Sequence, residues 1–225
     1  MILDYSLRKL KKKIRSRLPG FAIINKQIAI SNLSEITEIL DTYNIQHWLT
    51  DGTLLGMIRE NDFLNHDNDT DLAVCARTFD PLALEDLFEA GFILERFFGC
   101  PDESFEFTVS RGGVLTDFFF FYEVGVAEKV RHSAYFEFDE DEMSARRLDY
   151  VYESFTLTGV SWKSLSCNIP SNPEKYLEQK YGSSWTSPQL DWDYALDPAN
   201  VQVTNVRENY SPPRPPIETL VNLLR

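Results

Sequence analysis

The sequence predicts an α/β fold in which helices flank a small mixed β-sheet, and three observations lead to this prediction. Residues 32–43 and 80–91 carry apolar residues at helical spacing. Residues 72–76 form a short continuous apolar run, which is typical of a buried strand. Apolar segments 104–110 and 114–123 flank an Arg-Gly-Gly sequence, which favours a hairpin. Helices and strands that alternate along 225 residues indicate one domain around one sheet.

The overall composition limits the classes of function. A hydrophobic fraction of 43% and a charged fraction of 25% are typical of a globular domain. No apolar run approaches the ~20 residues of a membrane span, and residues 1–20 lack the apolar core of an export signal. Cys75, Cys100 and Cys167 show no zinc-ligand spacing with the histidines. We therefore expect reduced thiols and a cytoplasmic protein.

Charge is distributed unevenly along the chain. The net charge is −13, yet residues 1–20 contain seven basic residues and one aspartate, so the remaining residues carry −19. Such an acidic body lacks the lysines and arginines that neutralise nucleic-acid phosphates, and we expect no nucleic-acid partner. It suits a site that recruits metal ions first and binds phosphates through them.

Residues 5–18 have the pattern of a basic amphipathic helix. Leu7, Leu10, Ile14 and Leu18 recur at helical spacing before a Pro-Gly stop. Two interpretations are open. In one, the helix contacts the inner face of an anionic membrane, at roughly 1 kcal/mol per basic residue. In the other, its apolar stripe packs against the acidic body.

The next elements lead to a turn that contains glycine. We expect Ser31 or Asn32 to cap a helix over residues 32–43 and Asn44 to end it. Residues 45–49 are then expected to form a short strand that enters the turn.

Gly52 and Thr53 form this turn and open a second, short helix. Backbone N–H groups at a helix start bind phosphate, and glycine lets the ligand approach closely. Arg59 lies at the end of this helix, where its guanidinium has the geometry to bind a phosphate bidentately. The three residues are candidate substrate ligands, against the simpler interpretation of an ordinary turn and a solvated arginine.

Three aspartates at alternate positions, Asp67, Asp69 and Asp71, precede the apolar run. In a strand, Asp69 and Asp71 point to the same face, with Cα atoms roughly 6.5 Å apart. Two carboxylates on one face repel each other unless a cation lies between them. The pair therefore predicts a Mg²⁺ site, with Mn²⁺ as the alternative ion, and Asp67 is assigned to the same site or to its support.

Another aspartate lies inside an apolar strand. After an expected helix that starts at Asp80-Pro81 and a strand over residues 92–98, Asp117 interrupts the apolar segment 114–123. An unpaired carboxylate buried there would be costly, which favours a functional role over a solvent-facing edge position.

The C-terminal half is expected to contain a strand over 150–157, a return strand over 160–162 after a turn at Gly159, and helices over 174–181 and 217–224. The acidic run 139–142 is interpreted as a solvated loop. Tyr181 and Trp185 are candidates to stack on a base or sugar, or else belong to the core. The expected division is a basic helix over 1–20, a catalytic domain over 21–196, and a proline-containing extension over 197–225 that ends in a helix.

The string from Trp48 to Val74, WLTDGTLLGMIRENDFLNHDNDTDLAV, resembles a known family. Gly52-Thr53 followed by Asp69-x-Asp71 is similar to the signature of polymerase-β-like nucleotidyltransferases. The fuller string resembles the LicD family, which includes fukutin-related protein. The resemblance covers residues 45–76 closely and residues 104–123 and 168–185 more loosely, and it implies a nucleotidyltransferase-like fold.

The resemblance also implies a reaction. LicD-family members transfer a phosphorylated alcohol, such as phosphocholine or ribitol phosphate, from a CDP-activated donor to a sugar. This implies a CDP-alcohol donor, CMP as leaving group, and a glycan or lipid-linked sugar as acceptor. Two metal ions about 3.5–4 Å apart would be held by Asp69, Asp71 and Asp117. Asp117 would also accept the proton of the attacking hydroxyl.

One departure from the family pattern leaves the donor open. The family has an arginine at the position of Arg59 but usually carries Pro-Trp just before the first aspartate, where this chain has Asn65-His66. Two other functions also stay open. One is nucleotide transfer from a nucleoside triphosphate, which would release pyrophosphate instead of CMP. The other is a non-catalytic module that binds a nucleotide or glycan, which a metal titration would test.

Overall fold

A central mixed sheet organises the residues that this computed structural model describes, which are 24–125, 128–189 and 191–225. The sheet has eight strands. They are β1 (His47–Leu49), β2 (Asp69–Cys75), β3 (Ile93–Phe98), β4 (Glu106–Arg111), β5 (Val114–Val124), β6 (Lys129–Asp139), β7 (Ser144–Glu153) and β10 (Val201–Asn209). A separate hairpin contains β8 (Leu157–Trp162) and β9 (Leu165–Pro170). The α-helices of the described residues are α1 (Lys26–Thr42), α2 (Asp51–Glu60), α3 (Leu82–Glu89), α4 (Pro173–Tyr181) and α5 (Ile217–Leu224).

Strand β5 joins two parts of the sheet. Its first half lies between β2, which runs parallel to it, and β4, which runs antiparallel. β1 and β3 complete this part as antiparallel neighbours of β2 and β4. The end of β5 pairs with β6, and β7 and β10 follow. The predicted α/β fold with a mixed sheet and flanking helices is confirmed, and the sheet is larger than predicted because β6, β7 and β10 extend it.

The first helix starts earlier than its predicted boundary. α1 is capped by Asn25, whose side chain accepts hydrogen bonds of 3.2 Å from two N–H groups of the first turn. The expected cap at Ser31 or Asn32 is therefore wrong. Asn32 instead faces the β4–β5 turn and donates to the carbonyl of Arg111 at 3.0 Å. The predicted end is confirmed, because Asn44 has a left-handed φ of 54°.

Alternation along β5 separates a core face from a polar face. Phe118 and Phe120 are fully buried, and Phe118 stacks on Phe107 with ring centroids 4.4 Å apart. Asp117 lies on the opposite face of the strand, because neighbouring side chains point to opposite sides. The predicted hairpin is confirmed by the β4–β5 pairing around Gly112 and Gly113.

Two predicted boundaries in the C-terminal half are wrong. The strand expected over 150–157 is β7, which ends at Glu153, and the next strand starts at Leu157. Gly159 lies within β8, and the turn occurs after Trp162 at Lys163, whose φ is 54°. β7 also begins at Ser144, well before residue 150, and its Arg147 pairs with Glu208 Oε1 at 2.9 Å.

The proline-containing extension predicted over residues 197–225 contains β10. This strand pairs with β7 and adds an edge to the sheet. The helices α4 and α5 are confirmed, and the Asn172 side chain caps α4 by accepting from the N–H of Lys175. The acidic run 139–142 is largely exposed, as predicted. The basic helix predicted over residues 5–18 lies outside the described residues. Among those described, no helix is long and apolar enough to span a membrane.

Candidate active site

A row of polar side chains crosses four neighbouring strands on one face of the sheet. Asp71 on β2 pairs with Asp117 on β5, which pairs with Thr108 on β4, which pairs with Arg96 on β3. Adjacent strands lie about 4.8 Å apart, so these side chains are neighbours. Asp69 points to the same face two residues before Asp71. The structure thus brings together Asp69, Asp71 and Asp117, although Asp117 is distant in sequence.

The start of helix α2 holds Asp71. The backbone N–H of Thr53 donates to Asp71 Oδ2 at 3.0 Å, and the Thr53 hydroxyl lies 3.4 Å from the same oxygen. In return, the N–H of Asp71 donates to Thr53 Oγ1 at 2.8 Å. A helix N-terminus favours a carboxylate because of its exposed N–H groups. Thr53 therefore orients a carboxylate in this structure, and its binding of donor phosphate stays a prediction.

Gly52 provides space for two carboxylates. A methyl group in place of its hydrogen would lie 2.9 Å from Asp67 Oδ2 and 3.1 Å from Asp71 Oδ2. The first of these distances is too short for a carbon–oxygen contact, so a side chain at this position would displace Asp67. The same distances place Asp67 beside Asp71, as its assignment to the metal site or its support requires.

The carboxylates of this face disfavour each other's ionisation. Burial raises the pKa of Asp69 to about 7, and the charges of Asp117 and Asp67 add to the effect. Burial, followed by the charges of Asp69 and Asp51, raises the pKa of Asp71 well above its usual range. The pKa of Asp117 is also raised by burial, against the opposing influence of Arg96 and Thr108. A bound cation is the partner that would keep such carboxylates ionised.

The donor atoms of this face fit a hard divalent cation. Mg²⁺ prefers oxygen ligands, keeps several waters, and is usually held by one or two carboxylates together with substrate phosphates. Within the described part of the chain, no three acidic, histidine or cysteine side chains are already arranged to hold a metal ion. Metal binding by Asp67, Asp69, Asp71 and Asp117 therefore stays a prediction.

Glu106 is a further acidic residue of this face that the sequence did not reveal. It lies two residues before Thr108 on β4, and its Oε2 atom is buried without a hydrogen-bond partner among the described residues. Burial, followed by the charge of Asp117, raises its pKa well above the usual range. The alternation of Glu106 and Thr108 with buried Phe107 and Val109 was the available signal.

Helix α4 braces the start of helix α2 through two side chains. Lys180 Nζ lies 2.5 Å from Asp51 Oδ2, and the hydroxyl of Tyr176 lies 2.8 Å from Thr50 Oγ1. Asp51 has a left-handed φ of 44° and directly precedes Gly52. Burial is the largest single influence and would raise the pKa of Asp51, but the charges of Lys180 and His132 and the hydrogen bonds from Lys180 and Thr50 together outweigh it, so this pKa is lowered. A lysine on the buried face of α4 was the sequence signal for such a partner.

Arg59 and the two candidate stacking residues lie close to the C-terminal segment. The guanidinium of Arg59 donates to Glu60 Oε1 at 3.0 Å and to the carbonyl of Trp185 at 3.4 Å. Phosphate binding by Arg59 stays a prediction, and the phosphate would have to compete with the Glu60 carboxylate for the guanidinium. Tyr181 packs against Trp192 with ring centroids 5.0 Å apart, beside an open pocket of about 430 Å³. Stacking of a base or sugar by Tyr181 or Trp185 also stays a prediction.

Comparisons with known proteins place this site in a family. Residues 44–152, which contain all the candidate ligands, match the nucleotidyltransferase domain described as LicD/FKTN/FKRP. The chain is 26% identical to ribitol-5-phosphate transferase FKTN of Mus musculus and 25% identical to that of Homo sapiens, in each case over 82% of this chain and 39% of the relative. The protein of the same name from Macaca fascicularis is 26% identical over 74% of this chain and 35% of the relative.

The chain thus spans less than half the length of these curated relatives. The matched residues 44–152 include the strands that carry the aspartates and the turn at Gly52. The family identified from the string Trp48 to Val74 is confirmed: the domain of residues 44–152 belongs to the LicD/FKTN/FKRP family.

Proposed function

We propose that this protein is a metal-dependent phosphotransferase that moves a phosphorylated alcohol from a CDP-activated donor to a sugar hydroxyl of a glycan. The observation that carries the proposal is the alignment of Asp69, Asp71 and Asp117 on one face of adjacent parallel strands. Displacement at phosphorus needs concentrated negative charge to hold the cations that neutralise the phosphoryl group. The relatives named ribitol-5-phosphate transferase support a phosphorylated alcohol as the group transferred.

Each residue of the site has a separate role in the proposed reaction. Asp69 and Asp71 would hold Mg²⁺ or Mn²⁺, which would supply charge neutralisation at the transferred phosphoryl group. Thr53 keeps Asp71 oriented through its N–H group. Asp117 accepts the proton of the attacking sugar hydroxyl, because it lies beside Asp71 on the same face and a raised pKa makes a carboxylate a stronger base. Arg59, at the far end of α2, binds donor phosphate when it leaves Glu60.

Release of CMP tests the proposal. The protein is incubated with CDP-ribitol, CDP-choline and CDP-glycerol in turn, with Mg²⁺ and a mixture of glycan acceptors. We expect CMP release from at least one donor, its loss when EDTA is added, and its loss in the Asp69→Asn variant. CMP release that persists in EDTA and in Asp69→Asn would contradict the assigned site.

Nucleotide transfer from a nucleoside triphosphate is the competing reaction on this fold. Release of pyrophosphate from a triphosphate, without CMP release from any CDP-alcohol, would establish that reaction instead. Binding of Mg²⁺ and CDP without either product would indicate a non-catalytic binding module. The measurements of CMP release, pyrophosphate release and ligand binding all use the same protein preparation.

A further inference from the structure

Arg96 lies at the end of the polar row, beyond Asp117 and Thr108. Its partner across the β3–β4 ladder is Thr108, and its Nε atom donates to Thr108 Oγ1 at 3.3 Å. The Thr108 hydroxyl in turn donates to Asp117 Oδ1. One hydrogen-bonded chain therefore connects the arginine to the carboxylate proposed as the base.

A bulge in β3 turns Arg96 onto this face. The register shifts between Leu94 and Arg96, so that Leu94 pairs with Val109 and Arg96 with Thr108. Without this shift of one residue, Arg96 would point to the same side of the strand as Leu94, which is buried in the core. A bulge of this kind changes the direction of one side chain while the ladder continues on both sides. Here it places a cation beside the carboxylates.

The guanidinium of Arg96 has free binding capacity. Arg96 is exposed, and among the described residues no acidic side chain forms an ion pair with it. Its Nη1 and Nη2 atoms also have no hydrogen-bond partner among the described residues, and its guanidinium carbon lies 5.6 Å from the centre of the Phe98 ring. Other arginines of the sheet, such as Arg111 and Arg147, are paired with carboxylates.

The charge of Arg96 acts on the site at a distance. It lowers the pKa values of Asp69, Asp117 and Glu106, against the larger influence of burial. Two strand spacings, roughly 10 Å, separate its Cα atom from that of Asp117. An extended arginine side chain spans much of this distance, so a group bound near Asp117 is within reach of the guanidinium.

We propose that Arg96 forms a binding subsite for a phosphate oxyanion of the substrate, with Thr108 as the residue that positions it. The inference rests on the proposed function, since it assigns a ligand to the same face. A phosphate bound there would contact the guanidinium through two parallel hydrogen bonds, the geometry that arginine offers. The oxyanion belongs either to the pyrophosphate of the donor or to a phosphorylated acceptor.

Calorimetric titration of wild type and Arg96→Ala tests the subsite and distinguishes the two sources. CDP with Mg²⁺ represents the donor, ribose 5-phosphate with Mg²⁺ represents a phosphorylated acceptor, and Mg²⁺ alone reports on the carboxylates. We expect Arg96→Ala to weaken one of the two phosphate probes about 10- to 100-fold, as loss of charge-assisted hydrogen bonds predicts. The affinity for Mg²⁺ should not fall, because the substitution removes a positive charge that repels the ion.

Three further variants provide the controls. Arg77→Ala removes the same charge from an exposed arginine that already pairs with Glu123, and it should bind both probes as wild type does. Arg96→Lys keeps the charge without the planar fork and should recover part of the affinity. Thr108→Val keeps the shape of the side chain but removes the link to Arg96, and it should weaken the same probe by a smaller factor.

Two results would overturn the subsite: equal affinity of Arg96→Ala and wild type for both probes, and absence of binding by wild type up to millimolar concentration. The proposed reaction fails separately. Arg96-dependent binding of CDP without CMP release from any CDP-alcohol would reject the reaction and keep the subsite. CMP release by a protein whose phosphate affinity does not depend on Arg96 would reject the subsite and keep the reaction.

Discussion

Two clusters of charged side chains on the same sheet are built in opposite ways. On β7 and β10, Arg147 donates to Glu208 Oε1 at 2.9 Å and to Asp149 Oδ2 at 3.2 Å, so opposite charges pair within the chain. On β2 and β5, Asp69, Asp71 and Asp117 carry the same charge, and the charge of Asp117 raises the pKa values of Asp69 and Asp71, in addition to the larger effect of burial. Both clusters are largely removed from solvent.

The difference separates a structural cluster from a functional one. A buried ion pair is satisfied in the folded chain, and breaking it mainly costs stability. A set of like charges costs stability in the folded chain unless a ligand compensates it, and such perturbed groups are concentrated at functional sites. We therefore expect substitutions in the acidic cluster to change activity, and substitutions in the paired cluster to change stability.

The largest expected effect is the loss of transfer in Asp69→Asn or Asp71→Asn. Each substitution removes a charge from the pair that holds the metal ion, so CMP release should fall below detection. The free energy of unfolding without metal should stay equal or rise, because repulsion between carboxylates decreases. Near-normal turnover of either variant at saturating Mg²⁺ would show that the metal site lies elsewhere.

Asp117→Asn should lower kcat by about 10²–10⁴-fold, the usual contribution of a proton acceptor. Arg59→Ala should instead raise the KM for the donor, because it removes a contact with the bound phosphate. Steady-state kinetics on both variants measure whether each substitution changes kcat or KM. An unchanged kcat in Asp117→Asn would remove Asp117 from the catalytic set, and Asp67 would be the next residue to test.

Arg147→Ala should lower the free energy of unfolding by about 3–5 kcal/mol, because Glu208 would stay buried without a cation and Asp149 would keep only Arg131. Denaturant unfolding measures this loss, and calorimetry should show Mg²⁺ affinity unchanged in the folded fraction. The triple variant Arg147→Met, Asp149→Asn, Glu208→Gln should recover part of the stability, since no uncompensated charge is left. A loss of Mg²⁺ affinity in folded Arg147→Ala would break the distinction between the two clusters.

The smallest expected effect is the pH dependence of stability at Asp69. Its pKa is about 7 in the folded protein, against an ordinary value of 3.8. The folded state therefore binds the proton more tightly, and Asp69 lowers stability progressively as the pH rises from about 4 to 7. Asp69→Asn should stabilise the protein by about 1–3 kcal/mol above pH 7 and leave it unchanged below pH 4.

Denaturant unfolding of both proteins in EDTA at pH 4, 6 and 8 measures this difference. EDTA is needed because bound Mg²⁺ would stabilise wild type and mask the repulsion. A stabilisation by Asp69→Asn that is equal at all three pH values would indicate that Asp69 is already ionised in the folded protein at low pH.

Local patterns in the sequence were enough to identify the family and the aspartate motif at the centre of the site. The spacing of Asp69 and Asp71 places both on one face of any strand, whatever surrounds it, because side chains alternate with a period of two. The string from Trp48 to Val74 likewise identified the family, and two glycines after Arg111 predicted the hairpin that carries Asp117. Each of these inferences depends on residues within a short stretch of chain, where backbone geometry alone sets the arrangement.

The tertiary structure decided how distant residues complete the site, including Asp117, which the sequence assigned to it through the family resemblance. The parallel pairing of β2 with β5 brings Asp117 beside Asp71, and 129 positions separate Asp51 from Lys180. The bulge that turns Arg96 toward the carboxylates depends on how β3 registers with β4. Such contacts are determined by strand register and by packing between remote elements. Helical or strand periodicity records which face of an element is buried, but not which element covers it.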